Sequence, residues 1–375
     1  MELRDYQIET INNFEDWKNS TENLATVILP MGCGKTVIAA NFILKFNDVV
    51  LFASHRNEII NQAAETIKLF NPTLKVTIEA GKSRGESDSN VIVGTVQTLI
   101  KKRKNLREFN PKLIIFDEYH HAEEHNVQYE NLKKRWPAAK IVGLTATPWR
   151  TDDNPIKTGR ILIQMNIMDA INKGLLVNPI FEHPSLLETL NFSIKNKTLS
   201  GKDQIFIERI KQLVKEGRQG LIYGRDKEHA QELYNTLKND IRVAEIYAET
   251  PLSERQVYYE ALKSKKLDAI INNMILTEGV DFPQISFLAL FREPESLSLW
   301  LQIVGRGLRK YQDKKDCIIL DASPNGEKDI KLSYDILSYQ NKEIDLKIVK
   351  TSAPQLVNKY AKRILSGIAN KLIKI

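Results

Sequence analysis

Short apolar runs alternate with longer amphipathic stretches along most of this chain, and that alternation restricts the folds it can adopt. A first series of runs lies at residues 26–29, 49–53, 91–94, 113–116 and 141–144. A second series lies at residues 220–223, 243–246, 269–271, 285–291 and 317–320. Continuous apolar runs between helical patterns are typical of strands buried in a parallel sheet. The two series therefore predict an α/β protein with two parallel-sheet layers in tandem.

The segment between the two series marks a domain boundary. Thr151–Gly159 is rich in turn-forming residues, and a helical stretch, Asn166–Lys173, follows it. We expect a first domain over residues 1–170 and a second over residues 171–325, with an error of about ten residues at the boundary. Residues 326–375 are expected to form a basic helical extension, because apolar residues recur there every four positions. These are Leu356, Tyr360, Ile364, Ile368 and Leu372.

The composition excludes several classes of protein. Only two cysteines occur, Cys33 and Cys317, which argues against a disulfide scaffold and against a cysteine-based zinc site. No apolar run is long enough to span a bilayer, and residues 1–5 lack the apolar stretch of a signal peptide. We therefore expect a cytoplasmic protein, bacterial or viral, without membrane contact. The net charge of +7 favours polyanionic partners.

The strongest local signal is the loop Pro30–Thr36, which follows an apolar run and precedes a helical one. A strand, a glycine-containing loop and a helix in this order are typical of a phosphate-binding loop. Gly32 and Gly34 let the backbone turn so that its N–H groups face the phosphates, and the helix N-terminus favours an anion. Lys35 can reach the terminal phosphates of a nucleotide, and the Thr36 hydroxyl can hold Mg²⁺.

Two further segments carry groups suited to the hydrolysis of a nucleoside triphosphate. Asp117 and Glu118 follow a buried run, and acidic residues there point into the crevice where parallel sheets bind ligands. Asp117 can hold Mg²⁺ through water, and Glu118 can polarise an attacking water. Arg306 and Arg309 lie three residues apart, on one face if the segment is helical. Two guanidinium groups suit the charge that develops on a transferring γ-phosphate, although an isolated arginine pair more often forms surface salt bridges.

The order of these segments resembles that of the superfamily 2 helicases, over about residues 3–325. The matching segments are Arg4–Gln7, Pro30–Thr36, Ser54–Arg56, Gly94–Leu99, Asp117–His120, Thr145–Thr147, Gly220–Gly224, Leu276–Pro283 and Gln302–Arg309. Ala53–Glu58, Thr277–Asp281 and Cys317–Asp321 are similar to segments of RadD-like helicases and of type III restriction subunits. The chain lacks the cysteine-rich module of the former and the nuclease domain of the latter, so DNA cleavage is not expected.

The resemblance implies two tandem RecA-like lobes and assigns roles around an ATP site. The expected ATP-binding residues are Arg4, Gln7, Gly32, Gly34, Lys35, Thr36, Asp117, Gly279 and Asp281. The expected Mg²⁺ ligands are Thr36 and Asp117. The expected catalytic residues are Glu118, Gln302, Arg306 and Arg309, of which Gln302 acts with His120 to couple nucleotide and nucleic acid. The residues expected to face a nucleic-acid backbone are Arg56, Thr98 and Thr277.

The expected function is therefore an ATP-dependent DNA helicase or translocase, acting as a monomer on single-stranded, duplex or branched DNA. Three alternatives stay open. A duplex translocase hydrolyses ATP without separating strands. An RNA helicase uses the same motifs but acts on RNA instead of DNA. A binding module that uses ATP only as a switch binds nucleic acid with negligible turnover, and Glu118 with the two arginines argues against it.

Overall fold

The computed structural model describes residues 2–55, 57–101, 104–123, 127–148, 155–182, 199, 201–273, 282–291 and 297–321. The chain divides into two compact units, of which the first ends at Asn166 and the second begins at Ile167. The sequence places this boundary near residue 170. The predicted extension, residues 326–375, lies outside the described residues. So do four predicted site residues, Arg56, Thr277, Gly279 and Asp281.

The first unit is built on a seven-stranded sheet with the order β3-β4-β2-β5-β6-β1-β7. All of its strand pairs are parallel. The strands are β1 (Leu24–Ile28), β2 (Val50–Ser54), β3 (Val76–Glu79), β4 (Val91–Thr95), β5 (Leu113–Asp117), β6 (Lys140–Thr145) and β7 (Arg160–Gln164). The helices are α1 (Asp5–Lys18), α2 (Lys35–Phe46), α3 (Asn57–Phe70), α4 (Val96–Leu99) and α5 (Val127–Arg135).

The central strands of this sheet are buried along their whole length and mainly apolar, because helices cover both of their faces. Every residue of β5 is buried, and the same is true of β2 and β4. On one side, α1 packs on α2 through the rings of Phe14 and Phe42, whose centroids lie 4.1 Å apart. Charged side chains are absent from the centre of these strands and occur at their ends, where predicted site residues such as Asp117 lie.

The second unit has a six-stranded parallel sheet with the order β10-β11-β9-β12-β13-β8. Its strands are β8 (Asn178–Glu182), β9 (Gly220–Tyr223), β10 (Val243–Ile246), β11 (Ala269–Asn272), β12 (Phe287–Leu290) and β13 (Asp316–Asp321). Its helices are α6 (Ile167–Asn172), α7 (Gly201–Lys215), α8 (Lys227–Leu237), α9 (Leu252–Lys263) and α10 (Leu297–Gly307). Among the described residues, no helix combines the length and the apolar character needed to cross a membrane. The predicted pair of parallel-sheet α/β units is confirmed.

Three strands that the apolar runs did not predict, β3, β7 and β8, all lie at the edge of a sheet. An edge strand is less buried, so its sequence carries polar residues and loses the continuous apolar pattern. In β8, Pro179 lies within the strand, a position that is tolerated at an edge. The first series of apolar runs ends before Thr151–Gly159, but the first sheet continues beyond that segment, because Arg160–Gln164 follows it and pairs with β1.

Candidate nucleotide site and its helicase family

The loop between β1 and α2 has the backbone conformation of a tight phosphate-binding turn. Gly32 and Gly34 have φ angles of 84° and 73°, in the left-handed region that glycine adopts without strain. The helix α2 begins at Lys35, and its N-terminal N–H groups face the loop. The ammonium nitrogen of Lys35 donates a hydrogen bond of 2.9 Å to the carbonyl oxygen of Leu29. The lysine is thus folded back over the loop at the place where phosphates are expected.

The start of α1 is attached to this loop. The hydroxyl of Tyr6 donates a buried hydrogen bond of 2.8 Å to the carbonyl oxygen of Cys33. Gln7 Oε1 accepts a 3.0 Å bond from the backbone N–H of Arg4. Gln7 Nε2 lies so close to Gly34 that a Cβ there would approach it to 2.7 Å. Arg4 and Gln7 therefore lie beside the loop, and Tyr6, whose role the sequence did not reveal, anchors them there.

The two acidic residues at the end of β5 differ in conformation. Asp117 is the last residue of the strand and is 7% exposed, whereas Glu118 is 4% exposed and has a φ angle of 51°. A left-handed conformation is costly for a residue with a side chain, and such strain is concentrated at functional sites. Glu118 Oε2 is buried without a hydrogen-bond partner in the structure. His120 Nδ1 lies 3.5 Å from this oxygen.

His120 connects the ends of β5 and β6. Its Nδ1 lies 3.2 Å from the hydroxyl oxygen of Thr145, and both side chains are buried. The Thr145 hydroxyl donates its one proton to the carbonyl oxygen of Thr147, at 2.8 Å. Because that proton is used, His120 Nδ1 must carry a hydrogen and donate it to Thr145. This fixes the tautomer of a neutral His120 and links the segments Asp117–His120 and Thr145–Thr147, which the sequence treats as separate motifs.

In the second unit, the predicted residues Gln302 and Arg306 lie on α10, and Arg309 comes two residues after its end. Gln302 is buried, and Arg306, in the last helical turn, is only 3% exposed. The charge of Arg306 acts on Tyr223 at the end of β9: burial raises the pKa of Tyr223, and the nearby guanidinium opposes that rise. Arg309 follows the helix and pairs with Leu176 in an isolated antiparallel bridge.

Lys314 holds the end of α10, a role that the sequence analysis missed. Its ammonium nitrogen donates to the carbonyl oxygens of Pro283, Gly307 and Arg309, at 3.1, 2.6 and 2.9 Å. The three N–H donors of the ammonium group thus meet three carbonyl acceptors, one of which, that of Gly307, lies at the negative end of the α10 dipole. Burial lowers the pKa of Lys314 to about 8. A lysine shortly after a helical pattern is the only sequence signal for such a contact.

Comparison with known proteins places these two units in one family. The model described as "Type III restriction enzyme, res subunit" matches residues 1–150, and that described as "Helicase conserved C-terminal domain" matches residues 202–311. The chain belongs to the superfamily 2 helicases. The membership predicted from the order of the motifs is therefore confirmed.

The relatives and structural neighbours of this helicase family agree with the fold. IRC3 of Saccharomyces cerevisiae, described as a candidate ATP-dependent helicase, is 30% identical over 351 residues, which are 85% of this chain and 51% of IRC3. A related protein of Schizosaccharomyces pombe, described as a candidate mitochondrial ATP-dependent helicase, is 28% identical over 86% of this chain and 57% of its own. The chain thus spans about half the length of these curated relatives.

Two solved structures share the two-lobed architecture. The type ISP restriction-modification enzyme LlaBIII, bound to DNA, has a TM-score of 0.65 and 15% identity, covering 98% of this chain and 33% of its own. Dbp5 of Saccharomyces cerevisiae, bound to RNA and ADP BeF3, has a TM-score of 0.60 and 14% identity, covering 90% and 92%. At this level of identity they support the RecA-like fold of both lobes.

One predicted nucleic-acid contact, Thr98, has a distinct environment. Thr98 is 7% exposed, and its hydroxyl accepts a hydrogen bond of 2.8 Å from the hydroxyl of Thr95 at the end of β4. The side chain is thus already bonded within the protein, in the short helix α4 that directly follows the carboxyl end of β4. A direct contact of the Thr98 hydroxyl with nucleic acid stays a prediction.

Proposed function

We propose that this chain hydrolyses ATP and uses the reaction to move along or unwind DNA. The observation that carries the proposal is the meeting of three strand ends in the first unit. Asp117 is in register with Leu144, and Ile28, just before the phosphate loop, is in register with Thr145. The loop that would hold phosphate and the carboxylates that would act on it therefore flank the end of β6, at the carboxyl edge where parallel sheets bind ligands.

In this proposal the loop binds the phosphates of ATP. Lys35 would exchange its bond to the Leu29 carbonyl for a charge-assisted bond to a phosphate oxygen, which is stronger. Thr36 and Asp117 would hold Mg²⁺, which favours oxygen ligands and keeps several waters; when bound, it neutralises phosphate charge. The buried, unpartnered Glu118 Oε2 is suited to accept a hydrogen bond from the attacking water.

The second unit would supply positive charge to the reaction. Arg306 and Arg309 are assigned to the γ-phosphate, where added charge in the transition state accelerates phosphoryl transfer. Gln302, one turn before Arg306 on α10, and His120 would couple the nucleotide to the nucleic acid. The contact of Lys314 with the Gly307 and Arg309 carbonyls supports this assignment, because it restrains the backbone that carries the arginines.

DNA is the proposed nucleic-acid substrate. The family model matching the first unit is named for restriction subunits, and LlaBIII, which has the same fold, was solved on DNA. Dbp5, with a similar fold, was solved on RNA, so an RNA helicase is the second candidate. A cytoplasmic location and a monomeric state stay predictions.

Steady-state ATP hydrolysis tests the proposal, measured without polymer and then with single-stranded DNA, duplex or branched DNA, and RNA. We expect DNA to stimulate hydrolysis and Lys35→Ala to abolish it, because the ammonium that binds phosphate is lost. Stimulation of hydrolysis by RNA alone would indicate that the protein acts on RNA instead of DNA. Nucleic-acid binding that depends on ATP without turnover would instead identify a switch module. A strand-displacement assay separates a helicase from a translocase, since only the former releases a labelled strand.

A further inference from the structure

Three of the six histidines of the chain pack against one another in the first unit. The ring of His121 contacts the other two, with its centroid 4.4 Å from that of His55 and 4.1 Å from that of His120. We call His55, His121 and His120 the histidine stack. At these separations the rings are in van der Waals contact, so a shift of one ring displaces the next.

The histidine stack joins two strand ends that carry different predicted roles. His55 directly follows β2 and precedes Arg56, which the family resemblance assigns to a nucleic-acid backbone. The other two histidines lie in a short 3₁₀ helix, Tyr119–Glu123, which follows Glu118 at the end of β5. The strands β2 and β5 are adjacent and parallel, so their carboxyl ends lie side by side. The stack therefore connects a segment expected at the nucleic acid with one expected at the nucleotide.

At the buried end of the histidine stack, one hydrogen of His120 has two acceptors within reach. Its Nδ1–H donates to the Thr145 hydroxyl oxygen at 3.2 Å, and Glu118 Oε2 lies 3.5 Å from the same nitrogen, which is long for a hydrogen bond. A small rotation of the ring would turn the hydrogen from Thr145 to Glu118. A carboxylate oxygen that accepts this hydrogen has one site fewer for an attacking water. The ring of His121 packs on His120 and so restricts that rotation.

Packing and metal binding are the two simpler roles for such a cluster. Apolar rings would pack at less cost, because each imidazole brings two polar nitrogens into the protein. Within the described part of the chain, no three histidine, cysteine or acidic side chains are grouped so that they could hold a metal ion. The ring contacts favour transmission of position between the two strand ends.

We propose that His55 and His121 are positioning residues that transmit the binding of nucleic acid to the nucleotide site. Nucleic acid bound after β2 restrains His55, and His55 restrains His121. The restrained ring of His121 keeps the His120 hydrogen on Thr145, which leaves Glu118 available to the attacking water. The inference rests on the proposed function and names the side chains through which nucleic acid stimulates hydrolysis. A side chain with two arrangements that a ligand can bias is what such coupling requires.

The ratio of nucleic-acid-stimulated to basal kcat for ATP hydrolysis tests this role. It is measured with single-stranded DNA, duplex DNA and RNA, each at saturation. His121→Leu removes the ring that joins the other two, whereas His121→Phe keeps a ring in its place. The matched control is Phe46→Leu, which removes a partly exposed ring from a contact with Phe14 at the end of α2 remote from the phosphate loop. Unfolding midpoints show whether each variant folds.

We expect His121→Leu to lower the ratio at least about fivefold, the lower end of the usual coupling between two sites. KM for ATP should stay within about twofold of the wild-type value, because only a step after nucleotide binding is affected. His121→Phe and Phe46→Leu should keep the wild-type ratio. His55→Leu should lower the ratio as His121→Leu does, and the double variant should lower it no further, since the two rings act in series.

A wild-type ratio in folded His121→Leu overturns the proposal. An equal fall of basal and stimulated kcat also overturns it, because that result indicates a structural role. Losses that multiply in the double variant would show that His55 and His121 act independently, against a path in series. If His121→Leu does not fold, His55→Leu provides the test. A wild-type protein that no polymer stimulates overturns the proposed function itself, which the other outcomes leave standing.

Discussion

The ammonium nitrogen of Lys314 lies 2.6 Å from the carbonyl oxygen of Gly307, the last residue of the helix that carries Arg306. Lys140 makes an equivalent contact at the end of α1. Its ammonium donates to the carbonyl oxygens of Trp17, Ser20 and Glu22, at 3.3, 2.7 and 2.9 Å. The chain therefore offers two lysines with the same bonding at the C-terminal ends of two helices, only one of which is next to the predicted catalytic arginines.

This pair yields a prediction about positioning. We expect Lys314→Met to lower kcat for ATP hydrolysis about ten- to hundredfold, because small displacements of a catalytic group are that costly. Lys140→Met removes equivalent bonds elsewhere and is expected to keep kcat within about twofold. Both variants are expected to lose about 1–3 kcal/mol of unfolding free energy. Steady-state kinetics and urea unfolding make the comparison, and equal kcat values for the two variants would contradict the positioning role.

The titration of Lys314 predicts how stability depends on pH. Burial lowers the pKa of Lys314 from its ordinary value of 10.5 to about 8. Between those values the unfolded chain binds a proton that the folded protein has released, so the unfolding free energy rises with pH. The buried thiol of Cys317, whose pKa is raised to about 12, acts in the opposite direction above its ordinary value of 9.0. The charges of Asp316, Arg218 and Arg309 also act on Lys314.

The difference between wild-type protein and Lys314→Met reports mainly on Lys314 below about pH 10, because the folded Cys317 thiol, with a pKa of about 12, stays protonated there. We expect the stability advantage of the wild-type protein, measured by urea unfolding, to increase as the pH is raised from about 8 towards 10. Below about pH 8 the difference should be constant, because Lys314 is protonated in both states. A difference that falls with pH would show that the folded protein holds the proton more tightly than the unfolded chain.

The bond between Tyr6 and Cys33 leads to a prediction about nucleotide affinity. Tyr6→Phe removes the hydroxyl that anchors α1 to the phosphate loop and leaves a buried carbonyl without this donor. We expect KM for ATP to rise about three- to tenfold, which corresponds to the usual cost of about 1 kcal/mol for such a bond. Tyr258→Phe, which removes an exposed hydroxyl bonded to Glu254, is the matched control and should leave KM unchanged. Equal KM values in the two variants would rule out the anchoring role.

The bond between His120 and Thr145 leads to a prediction about coupling. Thr145→Val keeps the shape of the side chain but removes the oxygen that accepts the His120 proton. We expect the ratio of nucleic-acid-stimulated to basal ATP hydrolysis to fall at least about threefold, the loss expected for one net hydrogen bond. Thr145→Ser retains the hydroxyl and should restore most of the ratio. Failure of serine to restore it would assign the effect to packing.

The burial of Arg306 makes its predicted role testable. Arg306→Ala is expected to lower kcat about 10³-fold or more, because a guanidinium that stabilises transition-state charge contributes at least that much. Binding of a fluorescent ATP analogue should persist, since Lys35 and the loop hold the phosphates. Loss of nucleotide binding in a folded variant would indicate that Arg306 acts in the ground state.

Much of the fold could be predicted from the chain because the central strands are buried on both faces. That burial requires apolar residues at every position, and the central strand β9 begins and ends where its apolar run does. The edge strands β3, β7 and β8 escaped prediction, since partial exposure admits polar residues and removes the pattern. The strand β7 was also hidden because a turn-rich segment precedes it.

The sequence by itself determined the chemistry of the first lobe: a glycine turn before Lys35, two acidic residues after a buried run, and the order of motifs that identified the family. Those features are local, so neighbouring residues suffice to reveal them. Only the tertiary structure decided which distant groups support them. Tyr6 reaches the phosphate loop, His120 reaches Thr145, and Lys314 holds the helix end before Arg309. Each is a contact between segments that meet only when the sheet forms, and a hydrogen bond leaves no periodic trace in the sequence.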